Sequence, residues 1–227
     1  MKKTIVLIFL FLQICFYKCQ KIGVYESYNP ELKHAHLNGF FNAKLLNIED
    51  LNYNIKPFFD SLFIENKIAA TRLTDFNISI LDNFDPIYGN KKIEKQLEEY
   101  CKSKNIDALI IIKSHNIYHS LNPLKNTFNN DLDFGILTHK SSNNEVLYYN
   151  NIILLYYTIK KKKLLYPVRK KSENLFYPLT SIKQDSDIYD ITTNRLINPD
   201  LQTKLFLTNF KNRLQLNFNK ILEDIQK

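Results

Sequence analysis

The chain has 227 residues, a formal net charge of +8 and 44% hydrophobic residues, which is enough to bury the core of one domain. Only four of its 31 basic residues are arginine, the residue that usually reads phosphates and bases, so we expect no specific nucleic-acid partner. The four glycines, and the lack of a P-loop, a dinucleotide fingerprint or a G-x-S-x-G motif, argue against nucleotide-binding enzymes and serine esterases.

The amino terminus has the features of a secretory signal. Two lysines precede an apolar segment, Thr4–Tyr17, which is shorter than the roughly 20 residues needed to cross a membrane as a helix. We predict a signal peptide over residues 1–19 and a mature chain over residues 20–227. Retention of the segment as a membrane anchor is the alternative.

The cysteines bear on the compartment and on stability. Cys15 and Cys19 are each a candidate for lipidation, but Ile14 stands where a small residue is expected before a lipidated cysteine. We therefore interpret both as part of the signal. Cys101 is then the one cysteine of the mature chain, so no intrachain disulfide forms and stability must come from a packed core.

The first third of the mature chain is predicted to contain two strands and a helix. Lys21–Ser27 and Ile68–Phe76 have the composition of strands. A helix is predicted over 55–67, because Pro57 suits a first helical turn and the following apolar residues then share one face.

The next segment predicts a helix followed by a buried strand. Over 91–104 the apolar residues recur at helical spacing, and they are Ile93, Leu97, Tyr100 and Cys101. Cys101 is therefore interpreted as a core residue and not as a nucleophile. Ile106–Lys113 is a short apolar run without alternation, as in a strand covered on both faces.

Three more strands are predicted in the second half. Asn116–Asp133 is polar and predicted as a surface loop. Phe134–Lys140 and Glu145–Ile159 are predicted as strands joined through Ser141–Asn144. A partner strand for the end of the second is predicted over Leu164–Val168.

Four consecutive lysines separate these last two apolar runs and form the predicted tip of a β-hairpin. Charge at such a tip is solvated and blocks aggregation of sheet edges. The first interpretation is a solvated turn. The second is contact with an anionic surface, such as lipopolysaccharide or phospholipid head groups, through Lys160, Lys161, Lys162 and Lys163.

A long helix over 199–225 is predicted to close the chain. Asn198 suits its N-cap and Pro199 its first position, and the core-facing residues are Leu207, Phe210, Leu214, Ile221 and Ile225. The predicted fold is a single α+β domain, with α/β as the alternative. It has a mixed β-sheet, two βα units, a β-hairpin region and the long C-terminal helix.

Few residues are candidates for chemistry. Two histidine pairs and one aspartate pair have spacings that metal or carboxylate sites use: His34 and His36, His115 and His119, Asp131 and Asp133. No full ligand set accompanies them, so we interpret the histidines as solvated loop residues and the aspartates as turn residues. We predict no catalytic, metal-binding or cofactor-binding residue and no cofactor, while convergence of these side chains in the fold stays open.

The order of elements resembles that of envelope domains of the TolB amino-terminal and CsgG type. The similarity is carried by a helix leading into an apolar strand, Leu97–Ser114, and by a later strand and hairpin with a polar tip, Leu154–Val168. It covers most of residues 21–226 as patterns of polarity, and it departs from the family in lacking a clear lipidation motif and in the long predicted loop. The composition also resembles that of uncharacterised exported proteins of the Bacteroidetes. The resemblance implies an envelope-associated binding or assembly domain.

We therefore expect a non-catalytic, exported protein that lies in the periplasm or is associated with the outer membrane, with secretion as the alternative. We expect no transmembrane span in the mature chain. Its expected partner is another envelope protein or an anionic membrane surface. The alternative is a secreted or periplasmic hydrolase whose site is assembled from histidine, aspartate and glutamate side chains.

Overall fold

The computed structural model describes residues 20–39, 43–81, 84, 89–114, 132–166 and 179–227. The predicted signal peptide lies outside these residues. The α-helices and strands within them follow in the order β1 (Ile22–Ser27), β2 (Glu31–Leu37), β3 (Leu45–Asn54), α1 (Lys56–Glu65), β4 (Ala70–Leu73), α2 (Lys91–Ser103), β5 (Ala108–Ser114), β6 (Phe134–His139), β7 (Ser142–Asn150), β8 (Ile152–Thr158), β9 (Lys163–Leu165), β10 (Leu179–Lys183), β11 (Tyr189–Asp190), β12 (Arg195–Leu196) and α3 (Pro199–Gln226).

Ten of these strands form two five-stranded sheets. Sheet A has the order β4-β1-β5-β8-β9, in which β4, β1 and β5 are parallel and β8 and β9 are antiparallel to their neighbours. Sheet B has the order β10-β7-β6-β2-β3, with one parallel pair, β2 and β6. The predicted α+β class and the predicted helices are confirmed. The single mixed sheet is replaced, among the described residues, by two five-stranded sheets and a two-stranded sheet of β11 and β12.

The prediction did not separate sheet B from sheet A, for two reasons in the sequence. Strands β2 and β3 are missing from the prediction because histidines and asparagines interrupt their apolar alternation. The predicted strand Glu145–Ile159 is divided at Asn151, where the chain passes from β7 in sheet B to β8 in sheet A. An apolar run that continues on both sides of such a crossing gives no signal of it.

Helix α3 covers one face of both sheets. Its Phe210 ring stacks on Phe134 of sheet B, with the ring centroids 5.2 Å apart. The Tyr156 hydroxyl of sheet A donates a hydrogen bond to Asp224 of α3 over 2.7 Å. The burial predicted for this helix is confirmed at Leu207, Phe210, Leu214, Ile221 and Ile225. The main core therefore depends on α3, whose bounds, N-cap and buried residues the sequence predicted.

Helix α2 covers the opposite face of sheet A. Its N-cap is Asn90, whose side chain accepts hydrogen bonds from the amides of Lys92 and Ile93. Cys101 is fully buried on this face, and burial raises the pKa of its thiol to about 12. The burial confirms the prediction of Cys101 as a core residue. The raised pKa makes it a poor nucleophile, because the thiolate form is scarce at neutral pH.

Asp133 joins three of the connections that carry the chain between the sheets. Its carboxylate accepts hydrogen bonds from the Asn29 amide, over 2.6 Å, and from the Ser114 hydroxyl. Its main-chain oxygen accepts from the Asn151 amide over 2.6 Å. These residues lie between β1 and β2, at the end of β5, and between β7 and β8. We call this set, Asp133 with Asn29, Ser114 and Asn151, the Asp133 junction.

Replacing Leu214 with alanine tests the packing of α3. Leu214 is fully buried beneath the two sheets, so Leu214→Ala should lower the free energy of unfolding by roughly 2–5 kcal/mol. The matched control is Leu205→Ala on the same helix, where the side chain is 43% exposed and a change within about 0.5 kcal/mol is expected. Urea denaturation measures both, and equal effects would contradict the packing of α3 described above.

Candidate functional site

A cleft of about 710 Å³ opens at the carboxyl ends of the parallel strands β1 and β5. Its walls among the described residues are Glu26, Ser27, Tyr28, Asn29, Pro30, Lys56, Ile78, Lys113, Ser114 and Asp133. The volume falls in the usual range for small-molecule sites. The carboxyl edge of parallel strands is also where ligands of open α/β sheets bind. The cleft is therefore the candidate binding site.

The strand register places charged residues along this cleft. Lys113, at the end of β5, pairs with Ser27 of β1 and is 7% exposed. Glu26 forms an ion pair with Arg72 of β4, with Oε1 and Nη1 separated by 2.6 Å. Burial, and then the charge of Glu26, raise the pKa of Tyr28, so its hydroxyl stays protonated. That hydroxyl is buried and has no hydrogen-bond partner among the described residues.

Asp133 forms the wall where the cleft meets the Asp133 junction. Burial raises the pKa of Asp133, and the hydrogen bonds from Ser114, Asn29 and Asn151 act against this rise. The side chain is 3% exposed, and both carboxylate oxygens already accept hydrogen bonds. Asp133 therefore has a structural role, which is what its interpretation as a turn residue predicts. Its predicted neighbour Asp131 lies outside the described residues.

The histidine pair on β2 is buried, so the interpretation of His34 and His36 as solvated loop residues is wrong. His34 Nδ1 lies 2.7 Å from Glu49 Oε1, and His34 Nε2 lies 2.7 Å from the Thr138 hydroxyl. His36 Nδ1 also contacts that hydroxyl, over 2.8 Å. We call these four residues the histidine cluster. The pair His115 and His119 lies outside the described residues.

The histidine cluster has the spacing of a hydroxyl nucleophile, a base and a carboxylate, but it is sealed. His34, His36 and Thr138 are 0% exposed. The β11–β12 hairpin covers them, with the Tyr189 ring 4.3 Å from that of His36 and the Leu196 amide donating to Glu49 over 3.2 Å. A substrate has no approach to Thr138 in this arrangement, so the cluster acts as buried structure.

The environment of the cluster sets the protonation of its members. Burial, helped by the neighbouring His34, lowers the pKa of His36 to about 4. Burial alone raises the pKa of Glu49, but the hydrogen bonds from His34 and from the Leu196 amide outweigh it and lower the pKa overall. At neutral pH, His36 is therefore uncharged and Glu49 is ionised. The described residues hold no group of three or more histidine, cysteine, aspartate or glutamate side chains able to bind a metal.

Glu49 and Thr138 were beyond sequence reasoning, because β3 and β6 meet β2 only in sheet B. Neither residue belongs to a local motif. Glu49 is 15 positions from His34, and Thr138 is 104 positions from it. The one signal in the sequence was the H-x-H spacing, which places both histidines on the same face of a strand.

The lysine tip, Lys160–Lys163, lies against the carboxyl end of α3 and the side of α2. The strands β8 and β9 pair as the predicted hairpin. The ammonium group of Lys160 donates to the main-chain oxygen of Lys227, and that of Lys161 donates to the main-chain oxygen of Asp224 over 2.7 Å. Lys162 Nζ lies 3.3 Å from Glu98 of α2. The lysines are exposed, and those near the end of α3 complement its negative dipole. Their contact with an anionic surface stays a prediction.

Comparison with known proteins adds little to this description. No family model matches the chain, and no curated protein matches it. A solved structure of a hypothetical protein, CT253 from Chlamydia trachomatis, is similar over 91% of this chain and 96% of that chain, at 9% identity and a TM-score of 0.29. This likeness is too low to carry an argument. Within the described residues, no helix has the length and apolar character needed to cross a membrane.

The histidine cluster predicts a loss of stability in acid. The folded protein excludes a proton from His36 down to about pH 4, whereas the unfolded chain binds one below the ordinary pKa of 6.5. The free energy of unfolding should therefore fall as the pH is lowered from 6.5 to 4, by up to roughly 3 kcal/mol from this residue. Urea denaturation across this range measures the slope, and His36→Gln should reduce it. Equal slopes for the two proteins, with a His36 ring resonance that titrates near pH 6.5, would contradict this assignment.

Proposed function

We propose that this protein is a non-catalytic, exported binding protein of the cell envelope, and that the cleft beside β1 and β5 takes a small polar ligand. The observation that carries the proposal is the cleft itself, which is about 710 Å³ in volume and has eight polar or charged residues among its ten described lining residues. Ile78 and Pro30 are the apolar residues among the described lining residues, and the ring of Tyr28 and the methylene groups of Lys56 and Lys113 add further apolar surface. Such walls suit a hydrophilic molecule more than a lipid chain.

The rival function is a hydrolase, because the described part of the chain holds two arrangements with suitable chemistry. The histidine cluster has the chemical groups of an acyl-transfer site. A substrate cannot reach it, because Thr138 is 0% exposed. Asp133 borders an open cleft, but its oxygens are engaged by Asn29, Ser114 and Asn151. A general base must reach the proton that it abstracts, so binding is favoured over catalysis. Turnover of a chromogenic ester that is lost in Thr138→Val would support the rival.

The envelope location rests on the amino-terminal pattern, a basic pair followed by the apolar segment Thr4–Tyr17. An anionic membrane surface is the partner proposed for the lysine tip, whose four side chains are exposed. Because Lys160 and Lys161 also bind main-chain oxygens at the end of α3, they have a structural role that does not depend on a membrane.

A ligand screen tests the binding function. A compound at 100 times its dissociation constant should stabilise the protein by about 2.7 kcal/mol, and differential scanning fluorimetry would detect this as a rise in melting temperature. Ser27→Trp fills the cleft and should abolish the rise. The matched control is Ser103→Trp, at an exposed position of α2, which should preserve it. Stabilisation that survives Ser27→Trp would place the ligand elsewhere and contradict the proposal.

Two measurements test the envelope location. Mass spectrometry of the mature protein should find no peptide from residues 1–16, and an intact amino terminus on cytoplasmic protein would contradict export. Sedimentation with anionic vesicles should show weak binding that salt reduces. Replacing Lys160, Lys161, Lys162 and Lys163 with serine should decrease this binding, whereas equal binding by both proteins would leave the lysines as a turn.

A further inference from the structure

We infer that the β11–β12 hairpin, residues 188–197, is an acid-responsive lid, which separates from sheet B and admits water to the histidine cluster as the pH falls. The hairpin covers a buried histidine that has no means of carrying a charge while the lid is closed. Protonation of that histidine therefore favours opening. The lid lies over sheet B and does not depend on the binding function proposed for the cleft.

The hairpin is a small unit with its own internal hydrogen bonds. Among the described residues, its two strands pair with each other and with no other strand. The Ile197 amide donates to the main-chain oxygen of Ile188 over 2.9 Å, and the Asn194 amide donates to that of Asp190 over 2.7 Å. These bonds do not involve sheet B, so the hairpin keeps its shape when it moves away from the sheet.

Few contacts hold the hairpin on sheet B. The Ile188 amide donates to the main-chain oxygen of Asn143 over 2.8 Å, and the Tyr189 hydroxyl donates to the side-chain oxygen of the same residue over 3.0 Å. The Leu196 amide donates to Glu49 over 3.2 Å. The side chains buried beneath the hairpin are Ile188, Tyr189 and Leu196. Opening the lid exposes much less apolar surface than unfolding the whole domain does, so local opening is the less costly event.

His36 is the group that the closed lid keeps uncharged. Its side chain is 0% exposed, and its ring centroid lies 4.3 Å from that of Tyr189 in the lid. Its Nδ1 lies 2.8 Å from the Thr138 hydroxyl. A protonated imidazole donates from both nitrogens, but His36 Nε2 is buried and has no hydrogen-bond partner among the described residues. Water must reach this nitrogen before the ring can carry a charge at low cost.

The basic groups around His36 also oppose a charge on its ring. His34, Lys140 and His139 add to the effect of burial, and together they lower the pKa of His36 to about 4. Arg195 of the lid adds a further positive charge, with its Nε 3.8 Å from Glu49 Oε2. A proton on His36 therefore meets repulsion from β2, from β6 and the turn after it, and from the lid.

The acidic groups in this region do not compensate, because they are bound elsewhere or exposed. They are Glu49, Glu145, Asp187 and Asp190. Glu49 Oε1 lies 2.7 Å from His34 Nδ1, and Glu145 Oε2 lies 3.7 Å from His139 Nε2. Asp190 accepts hydrogen bonds from two amides of the hairpin turn, and Asp187 is exposed. Among the described residues, no carboxylate contacts His36.

The direction of the pH effect follows from the two states of the lid. With the lid closed the pKa of His36 is about 4, and in water the ring has its ordinary pKa of 6.5. The open state therefore binds more protons, so opening is favoured as the pH falls below 6.5 and levels off below 4. From about pH 8 to about pH 5, the equilibrium constant for opening should rise about 30-fold.

Hydrogen exchange measured by mass spectrometry on the full chain tests this inference. After correction for the intrinsic exchange rate at each pH, the peptide over residues 186–197 should lose protection about 30-fold between pH 8 and pH 5. The peptide over residues 91–103, which covers α2 on sheet A, is the internal control and should keep its protection. A hairpin whose protection does not change, or an α2 peptide that loses protection by the same factor, would overturn the inference.

Replacing the histidine assigns the effect to one group. His36→Gln removes the titrating ring and should abolish the loss of protection over residues 186–197, whereas Lys163→Gln, at an exposed position of the β8–β9 hairpin, should preserve it. A loss of protection that persists in His36→Gln would overturn the inference. If His36→Gln does not fold, the wild-type profile decides. An onset near pH 6.5 supports the lid, and an onset below pH 5 would assign the opening to carboxylates and overturn it.

Discussion

The buried carboxylate of Asp133 is the constraint on which the arrangement of the two sheets depends. A carboxyl group that is 3% exposed is costly unless hydrogen bonds replace water. Here the donors are the Asn29 amide and the Ser114 hydroxyl, and the neighbouring main-chain oxygen accepts from Asn151. Each of these partners comes from a different crossing between the sheets. The requirement to satisfy one buried group therefore holds three distant segments together, and the cleft opens beside them.

Helix α3 also joins the two sheets, in addition to the Asp133 junction. It presents Phe210 to sheet B and Asp224 to sheet A, so one helix closes the core beneath both. Its far end receives Lys160 and Lys161 from the β8–β9 hairpin. These lysines therefore stabilise the fold as well as keeping the hairpin tip soluble, because cations stabilise the carboxyl end of a helix.

The histidine cluster and the cleft differ in what they make accessible. In the histidine cluster the distances of a catalytic relay are present, but Thr138 lies under the β11–β12 hairpin and no substrate reaches it. At the cleft, space is available, but the carboxylate of Asp133 is already engaged. Within the described residues, reactive geometry and access do not coincide, and this is why we propose a binding function.

The sequence by itself determined the local elements of this protein. Asn90 and Asn198 cap α2 and α3, Pro57 lies in the first turn of α1, and Cys101 is in the core, because caps, prolines and helical periodicity act over a few residues. What the tertiary structure decided was how the strands are shared between two sheets and which polar residues meet. Gly135 illustrates the difference, since a Cβ atom there would lie 2.2 Å from the Lys33 oxygen of a strand about one hundred positions away. The pairing of His34 with Glu49 and Thr138, the ion pair behind the cleft and the Asp133 junction likewise join residues far apart in the chain. No local pattern records them, because hydrogen bonds and strand register are set only when distant segments pack together.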